Sequence, residues 1–251
     1  MKFKVSLFLA FFTLGLEAKT GFPSSYYEIK DSAKKKEAFI KILDPLIDVA
    51  HERIKKEQAF VKLYFSFDQT PWQTVLQGDL SRLAKKYRIK KLKNRQIFLQ
   101  RIEIVPKVLV LAQAAAESGW GGSRFVRKAN NIFGEWTWGK KGLIPESRDS
   151  GKKHKIRIFD SLQDSIDSYM LNLNRHYAYK QFRKARWKAL KAGKEFKGME
   201  ATNHLKSYSG IGNDYKVLLE GIIHQNRWCE DSILDEIKDR NVTLIESSST
   251  L

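Results

Sequence analysis

The fold is decided by the stretch Pro106-Lys-Val-Leu-Val-Leu-Ala-Gln-Ala-Ala-Ala-Glu-Ser-Gly-Trp-Gly-Gly122. Apart from Gln113, its middle part contains only apolar residues and alanine. Pro106 suits the first helical position, since its missing N–H would be unpaired there anyway, and Gly119 suits the left-handed conformation that ends a helix. The pattern therefore predicts a helix of about three turns that is buried on all sides, because it has no polar face.

Glu117 lies at the end of this predicted helix. A helix C-terminus carries partial negative charge, which opposes ionisation of a carboxylate there. The alanine-rich helix and Trp120 would exclude water, which also raises the pKa of a carboxyl group. A carboxylic acid that stays protonated near neutral pH can donate its proton to a leaving oxygen. The residues alone leave two interpretations open: a general acid, or a solvated glutamate beside a capping glycine.

The chain has 251 residues, a formal net charge of +18 and a single cysteine. At 42% hydrophobic residues it can bury a sizeable core, and one cysteine allows no internal disulfide. Residues 1–18 are typical of a signal peptide, since Lys2 and Lys4 precede an uncharged apolar run; an uncleaved N-terminal anchor is the alternative. Behind a signal peptide, the positive charge favours cell-wall polymer or an anionic envelope surface over nucleic acid. We therefore expect a periplasmic or envelope location.

Local signals divide the remainder of the chain. Asp44-Pro45 and Thr70-Pro71 each predict a helix start, with a shorter helix ahead of the first. Glycines and aromatic residues interrupt the periodicity from 120 to 151, which predicts loop, and Lys155–Phe159 alternates like a strand. Asp160-Ser161 predicts the cap of another helix. We expect an N-terminal helical extension at 19–95, a domain at 96–229 and a polar tail at 230–251.

Two motifs at this spacing resemble a known family. Ala112-Gln-Ala-Ala-Ala-Glu-Ser-Gly-Trp-Gly121 with Asn130-Asn-Ile-Phe-Gly134 is similar to the glucosaminidase domain of bacterial cell-wall hydrolases, glycoside hydrolase family 73. Gly134-Glu-Trp-Thr-Trp138 and Asn172-Leu-Asn-Arg-His-Tyr-Ala-Tyr179 resemble its Bax-type branch. The resemblance covers about 105–226. It implies a mainly α (α+β), lysozyme-like fold, in which a cleft for a glycan separates a helical lobe from a small β-hairpin lobe.

The resemblance also implies site residues. Glu117 matches the family's general acid at the end of the central helix. The family places a second carboxylate on the hairpin, where Glu135, Glu146 and Asp149 are the acids; Glu146 is favoured and Asp149 is second. A substrate-assisted route through the acetamido group would need no second carboxylate as nucleophile. The family's cleft tyrosine corresponds to Tyr208, which would orient Glu117 or an attacking water, although the Thr-Asp-Pro core of that motif is absent here.

The remaining candidates are expected to bind substrate. Aromatic rings suit stacking on sugar faces, although core packing is the alternative for Trp120 and Phe133, and two asparagines could hydrogen-bond the acetamido group or simply form a turn. The five histidines show no metal-ligand spacing, so we expect no cofactor and no metal. The substrate-binding candidates are Trp120, Asn130, Asn131, Phe133, Trp136, Trp138, Asp149 and Tyr215.

These observations predict a monomeric, exported peptidoglycan hydrolase that cleaves the β-1,4 bond after N-acetylglucosamine and does not bind nucleic acid. A lytic transglycosylase or muramidase-like action in the same cleft is one alternative, and a non-catalytic module that binds the cell wall is another. A basic nucleic-acid-binding protein is the third, and the predicted signal peptide disfavours it.

Overall fold

A computed structural model describes residues 21–67, 71–145, 151, 153–205, 208 and 212–228. The described part is mainly helical, with one small antiparallel hairpin, as predicted. In chain order the first helices are α1 (Ser24–Glu28), α2 (Ser32–Tyr64), α3 (Pro71–Lys86), α4 (Arg95–Arg101), α5 (Lys107–Ser118) and α6 (Arg124–Ala129). Then come β1 (Trp136–Thr137), β2 (Lys155–Ile156), α7 (Leu162–Arg175), a 3₁₀ turn (Tyr177–Tyr179), α8 (Lys180–Lys191), α9 (Gly198–Thr202) and α10 (Asn213–Gln225).

Helix α5 is the central helix that the sequence predicts. Most of its side chains are buried, including Leu109 and Leu111 at 0% exposure. Gly119 ends it in the left-handed conformation, with φ of 55°, whereas Pro106 is the N-cap residue and not the first helical one. Each fully buried leucine contributes about 1.5–3 kcal/mol to folding. The helix is therefore a rigid support for the residue at its C-terminal end.

Helix α2 corrects the prediction of a helix start at Asp44-Pro45. It continues through Pro45 for 33 residues, and the carboxylate of Asp44 is buried and lies 2.9 Å from the ammonium of Lys107. A proline inside a helix costs about 3 kcal/mol. Leu43 and Ile47, both fully buried on the same helix, supply compensating burial of apolar surface on either side of the proline. Tertiary packing therefore outweighs the local signal.

The N-terminal helices share one hydrophobic core with α5. The ring of Phe39 on α2 lies 5.4 Å from the ring of Trp120, and the Tyr26 hydroxyl donates a 2.5 Å hydrogen bond to the Trp120 carbonyl. A side chain at position 121 would meet the rings of Phe22 and Tyr26, so Gly121 is needed there. The segment from 21 to 64 thus supports the loop that follows the central helix.

A buried arginine fixes the connection between α4 and α5. The Arg186 guanidinium on α8 donates hydrogen bonds to the carbonyls of Gln100, Glu103 and Ile104 and to the Asn174 side chain. Burial lowers the pKa of Arg186 to about 10, but at neutral pH the guanidinium remains charged. Carbonyl oxygens that would otherwise be buried without partners are satisfied by this one side chain.

The small β lobe follows α6, a helix that the sequence prediction of loop over 120–151 missed. Trp136 pairs with Ile156 and Thr137 with Lys155, in an antiparallel register. The strand predicted at 155–159 is thus confirmed but shorter, because the chain from residue 157 turns towards α6 and α7: the Phe159 N–H donates to the Ala129 carbonyl. Among the described helices, none has both the length and the apolar character needed to cross a membrane.

Candidate active site

Glu117 lies at the C-terminal end of α5 and is partly buried. Its Oε1 atom accepts a 2.6 Å hydrogen bond from the hydroxyl of Tyr215, near the start of α10. Burial raises the pKa of the Glu117 carboxyl above its ordinary value, and the hydrogen bond from Tyr215 partly offsets this effect. A raised pKa extends the pH range over which a carboxyl group keeps a proton that it can give to a substrate.

A chain of three consecutive hydrogen bonds leads from Tyr169 to Glu117. The Tyr169 hydroxyl donates to Oε1 of Gln113 at 2.5 Å, and Nε2 of Gln113 donates to the Tyr215 hydroxyl at 2.9 Å. Since Gln113 fills a lone pair of the Tyr215 oxygen, the single hydroxyl proton of Tyr215 points to Glu117. Gln113 is the one polar residue in the apolar part of α5 and is fully buried. Its position one turn before Glu117 was a signal that the sequence offered and the prediction left unused.

The tyrosine that contacts Glu117 is not the one that the sequence predicts. Tyr208, predicted to orient Glu117 or a water, stacks its ring on that of Tyr215 with centroids 5.5 Å apart and planes 10° apart. Burial, followed by neighbouring charges that include Glu117, raises the pKa of Tyr208 well above its ordinary value. The hydrogen bond to Glu117 belongs to Tyr215, which the sequence assigns to substrate binding. The ring of Tyr208 packs against the ring of Tyr215. A role of Tyr208 in positioning water stays a prediction.

The loop from Asn130 to Gly134 lies against Glu117. Gly134 has φ of 65°, and a Cβ placed on it would stand 3.9 Å from Oε2 of Glu117. Phe133 is 4% exposed and stacks on Tyr169 with centroids 3.9 Å apart. The ring of Phe133 therefore belongs to the core, the alternative that the sequence left open.

The side chains of the two asparagines in this loop form hydrogen bonds with backbone groups. The Asn130 amide donates to the carbonyls of Phe159 and Asp160. Asn131 is 1% exposed; it donates to the carbonyls of Glu135 and Arg157 and accepts from the Glu135 N–H. These contacts match the turn-forming alternative, and recognition of an acetamido group by either side chain remains untested.

The tryptophans fall into two groups. Trp120 is half-buried between Phe39 and Trp228, with the Lys36 ammonium 4.9 Å from its ring centre. Trp136 and Trp138, on the hairpin and just after it, are 56% and 73% exposed. Exposed indole rings can stack on sugar faces, although the ring of His154 already stacks on that of Trp136 with centroids 4.3 Å apart. Trp120 is mostly enclosed by other rings.

Glu135, which follows Gly134, is the hairpin acid that the structure describes. Its Oε2 accepts hydrogen bonds from the Ser168 hydroxyl at 2.9 Å and from Arg157 at 3.3 Å. Burial raises its pKa, while the contacts with Ser168 and Arg157 act in the opposite direction. Its Oε1 is buried, with no hydrogen-bond partner within the described part of the chain. The favoured acids Glu146 and Asp149 lie outside the described residues.

Two comparisons with known proteins indicate the family of the chain. Residues 94–227 match the family model described as mannosyl-glycoprotein endo-beta-N-acetylglucosaminidase, a glucosaminidase. The chain is also 34% identical over 200 residues to Protein bax of Escherichia coli (strain K12), a match that covers 77% of this chain and 70% of the relative. The chain belongs to the glucosaminidase family. No solved structure matches it at a significant level.

Membership makes this glucosaminidase a glycoside hydrolase with a glycan substrate. Within the described ranges, no three His, Cys, Asp or Glu side chains cluster in a way that could hold a metal ion.

Proposed function

We propose that this glucosaminidase is an exported peptidoglycan hydrolase that cleaves the β-1,4 bond after N-acetylglucosamine, with Glu117 as general acid. The observation that carries the proposal is the environment of Glu117: a carboxyl with its pKa raised by burial, held by one neutral hydroxyl donor. Glu117 would protonate the glycosidic oxygen as the bond to the sugar breaks. Tyr215 would fix the orientation of the carboxyl and stabilise the carboxylate left behind.

The sugar cation that develops needs a partner on its other face. Glu146 remains our favoured second carboxylate and Asp149 the next. Alternatively, the acetamido oxygen of the substrate acts as the nucleophile. Glu135 fits this role less well, because its Oε2 is already engaged by Ser168 and Arg157.

The signal-peptide pattern of residues 1–18 supports export. The net charge of +18 supports a cell-wall substrate. Peptidoglycan is an anionic polymer, so a strongly basic protein is attracted to it. Fractionation of cells that express the full chain tests this part. We expect a shortened mature form in the periplasm or envelope, and full-length protein in the cytosol would contradict export.

The experiment that tests the activity is digestion of purified cell-wall sacculi by wild type and Glu117→Gln. We expect wild type to release fragments with reducing N-acetylglucosamine ends and the variant to lose activity by about 10³-fold. Glu52→Gln is the matched control, because Glu52 is an exposed glutamate on α2 paired with Lys55.

Two results would overturn the assignment. Fragments that end in 1,6-anhydromuramic acid would show a lytic transglycosylase. Activity of Glu117→Gln equal to that of Glu52→Gln would remove Glu117 from the chemistry altogether.

A further inference from the structure

The two carboxyl oxygens of Glu117 have different surroundings. Oε1 accepts the 2.6 Å hydrogen bond from the Tyr215 hydroxyl. Oε2 accepts no hydrogen bond from the described residues and is not among their buried unpartnered atoms, so part of its surface is open. It lies on the side of Gly134, where a Cβ would stand 3.9 Å away. A substrate oxygen can therefore approach Oε2, whereas Tyr215 already occupies Oε1.

The chain of hydrogen bonds behind Tyr215 has one direction when Glu117 is ionised. A carboxylate only accepts hydrogen bonds, so the Tyr215 hydroxyl must donate its single proton to Oε1 of Glu117. The Tyr215 oxygen then accepts from Gln113, which presents its Nε2 atom at 2.9 Å. Oε1 of Gln113 is left for Tyr169, whose hydroxyl donates to it at 2.5 Å. Each of the three side chains thus fixes the orientation of the next.

A proton added to Glu117 has two possible positions. On Oε1 it would point at Tyr215, and every hydrogen bond behind it would have to reverse. Nε2 of Gln113 would then face Tyr169, and the Tyr169 hydroxyl proton would lose its acceptor. Among the described residues, Gln113 is the only hydrogen-bond partner of that hydroxyl, and Tyr169 is 2% exposed. An unpaired buried donor is costly, so the reversed arrangement is disfavoured and the proton belongs on Oε2.

Four tyrosines interact with the charge of Glu117, and burial is the main cause of a raised pKa in all four. They are Tyr169 on α7, Tyr179 in the 3₁₀ turn, Tyr208 before α10 and Tyr215 on α10. Near neutral pH these hydroxyl groups therefore keep the protons that they donate. Within the described ranges no charged side chain of any element, neighbouring Glu135 included, alters the pKa of Glu117, which responds to burial and to Tyr215.

We infer that Gln113, held by Tyr169, is a positioning residue that keeps the Tyr215 proton on Oε1 of Glu117 and so confines the transferable proton to Oε2. The inference rests on the proposed hydrolase function and specifies how its acid is prepared. The proton would pass from Oε2 to the glycosidic oxygen as the bond between that oxygen and the sugar breaks, and the electron pair of this bond stays on the leaving oxygen. Gln113 is fully buried and acts only through Tyr215.

The first test is Gln113→Met, which keeps an unbranched side chain of similar length and removes both polar atoms. Tyr215 could then accept a hydrogen bond from protonated Glu117, so we expect kcat to fall about threefold to tenfold. Tyr215 would also stabilise the Glu117 carboxylate less, which raises the pKa of Glu117. The basic limb of the kcat/KM profile should therefore move to higher pH. A folded variant whose basic limb stays at the wild-type position would overturn the inference.

A double-mutant cycle with Tyr215→Phe separates positioning from packing. If Gln113 acts only through the Tyr215 hydroxyl, Gln113→Met should change neither kcat nor the pH profile further in Tyr215→Phe protein. A purely structural role would lower kcat by the same factor in both backgrounds, and this additive result would contradict the inference. Gln163→Met is the matched control, because Gln163 is 7% exposed and its amide donates to the Leu46 carbonyl on α2. It should lower Tm and leave the pH profile at the wild-type position.

Tyr169→Phe is the second variant, in case Gln113→Met does not fold. It removes one oxygen atom and keeps the ring that stacks on Phe133. The Gln113 amide would lose the donor that fixes its orientation. We therefore expect the basic limb to move to higher pH by less than in Gln113→Met, and not to move further in the Tyr215→Phe background. An unchanged profile in Tyr169→Phe would remove Tyr169 and the fixed amide from the inference.

Gln113→Glu is the conservative variant that tests for rescue. A neutral carboxyl at this position keeps an acceptor for Tyr169 and a donor for Tyr215, and burial favours the neutral form. At the acidic end of the profile we expect most of the kcat lost in Gln113→Met to return. A kcat of Gln113→Glu no higher than that of Gln113→Met would show that the hydrogen bonds of residue 113 do not matter.

Titration of the Glu117 carboxyl by carbon-13 NMR makes the test independent of turnover, and the signal to follow is the one missing from Glu117→Gln. We expect the pKa of Glu117 to be higher in Gln113→Met than in wild type, and equal in Tyr215→Phe with and without Gln113→Met. If these pKa values are found and wild type cleaves no glycan, only the proposed function fails. If wild type is active and Gln113→Met leaves the pKa of Glu117 unchanged, only the inference about Gln113 fails.

Discussion

Glu117 and Glu135 are two partly buried glutamates next to Gly134, and burial raises the pKa of both carboxyl groups. Their partners differ. Glu117 accepts from the neutral hydroxyl of Tyr215, whereas Glu135 accepts from the Ser168 hydroxyl and from the guanidinium of Arg157. Both the Ser168 hydroxyl and the Arg157 guanidinium favour the ionised carboxylate of Glu135, and the guanidinium adds an opposite charge. Burial therefore acts on both carboxyl groups, whereas their partners differ in charge: a neutral hydroxyl for Glu117, and a guanidinium in addition to a hydroxyl for Glu135.

The two glutamates also differ in the part of the fold that carries them. Glu117 ends a rigid, buried helix, which holds a reacting group in one place. Glu135 joins the root of the hairpin to α7, since its carboxylate contacts Ser168 and its backbone bonds Arg157. These positions support the proposal that Glu117 is the acid of the reaction, and they assign Glu135 to positioning of the hairpin.

The largest expected effect separates the two glutamates directly. Glu117→Gln should lower kcat by about 10³-fold, because the amide has no acidic proton to give. Glu135→Gln keeps the shape and an acceptor for Ser168 and loses only the charge, so we expect kcat to fall about tenfold or less. Steady-state kinetics on the same soluble glycan, with thermal melting as a check of folding, provides the measurement.

If both variants are folded and lose kcat equally, the two glutamates do not have the different roles assigned to them. Glu135 would then be the second carboxylate of the reaction, in place of Glu146 or Asp149. Recovery of Glu135→Gln activity by azide, with an altered anomeric product, would identify it as a nucleophile.

The next effect concerns the hydrogen bond that distinguishes Glu117. Tyr215→Phe removes a donor that favours the ionised carboxylate, so the pKa of Glu117 should rise further. The basic limb of the kcat/KM profile, where the general acid loses its proton, should move to higher pH, and kcat should fall about tenfold to a hundredfold. Tyr177→Phe, at a tyrosine 81% exposed, is the control and should leave the pH profile unchanged. A shift to lower pH would show that Tyr215 does not stabilise the carboxylate.

The smallest effect concerns Gly134, between the two acids. Its φ of 65° is unfavourable for any side chain, so Gly134→Ala should cost about 1 kcal/mol, a fall in Tm of roughly 2–4 °C. The added methyl group would meet Oε2 of Glu117 only at ordinary contact distance, so the loss should be one of stability more than of turnover. Gly78→Ala is the matched control: Gly78 is inside α3 with open space around it, so alanine there should raise Tm. A Gly134 variant as stable as the control would contradict the assigned backbone strain.

Features that depend on neighbouring residues could be predicted from the amino-acid sequence. The apolar run and Gly119 specify α5, Ser161 specifies the start of α7, and alternation specifies a strand at the hairpin. The motif around Glu117 indicated the family and the candidate general acid. These signals can be read locally, because helix periodicity, caps and strand alternation act over only a few residues.

Only the tertiary structure decided which distant residues meet. α2 continues through Pro45 because core packing on both sides outweighs the cost of the proline, a balance that local sequence does not contain. Tyr215, and not Tyr208, reaches Glu117 because the placement of α10 against α5 selects between two tyrosines seven positions apart. The pKa of Glu117 follows from burial by residues far along the chain, so the sequence shows that a carboxyl is present, and the packing sets its chemistry.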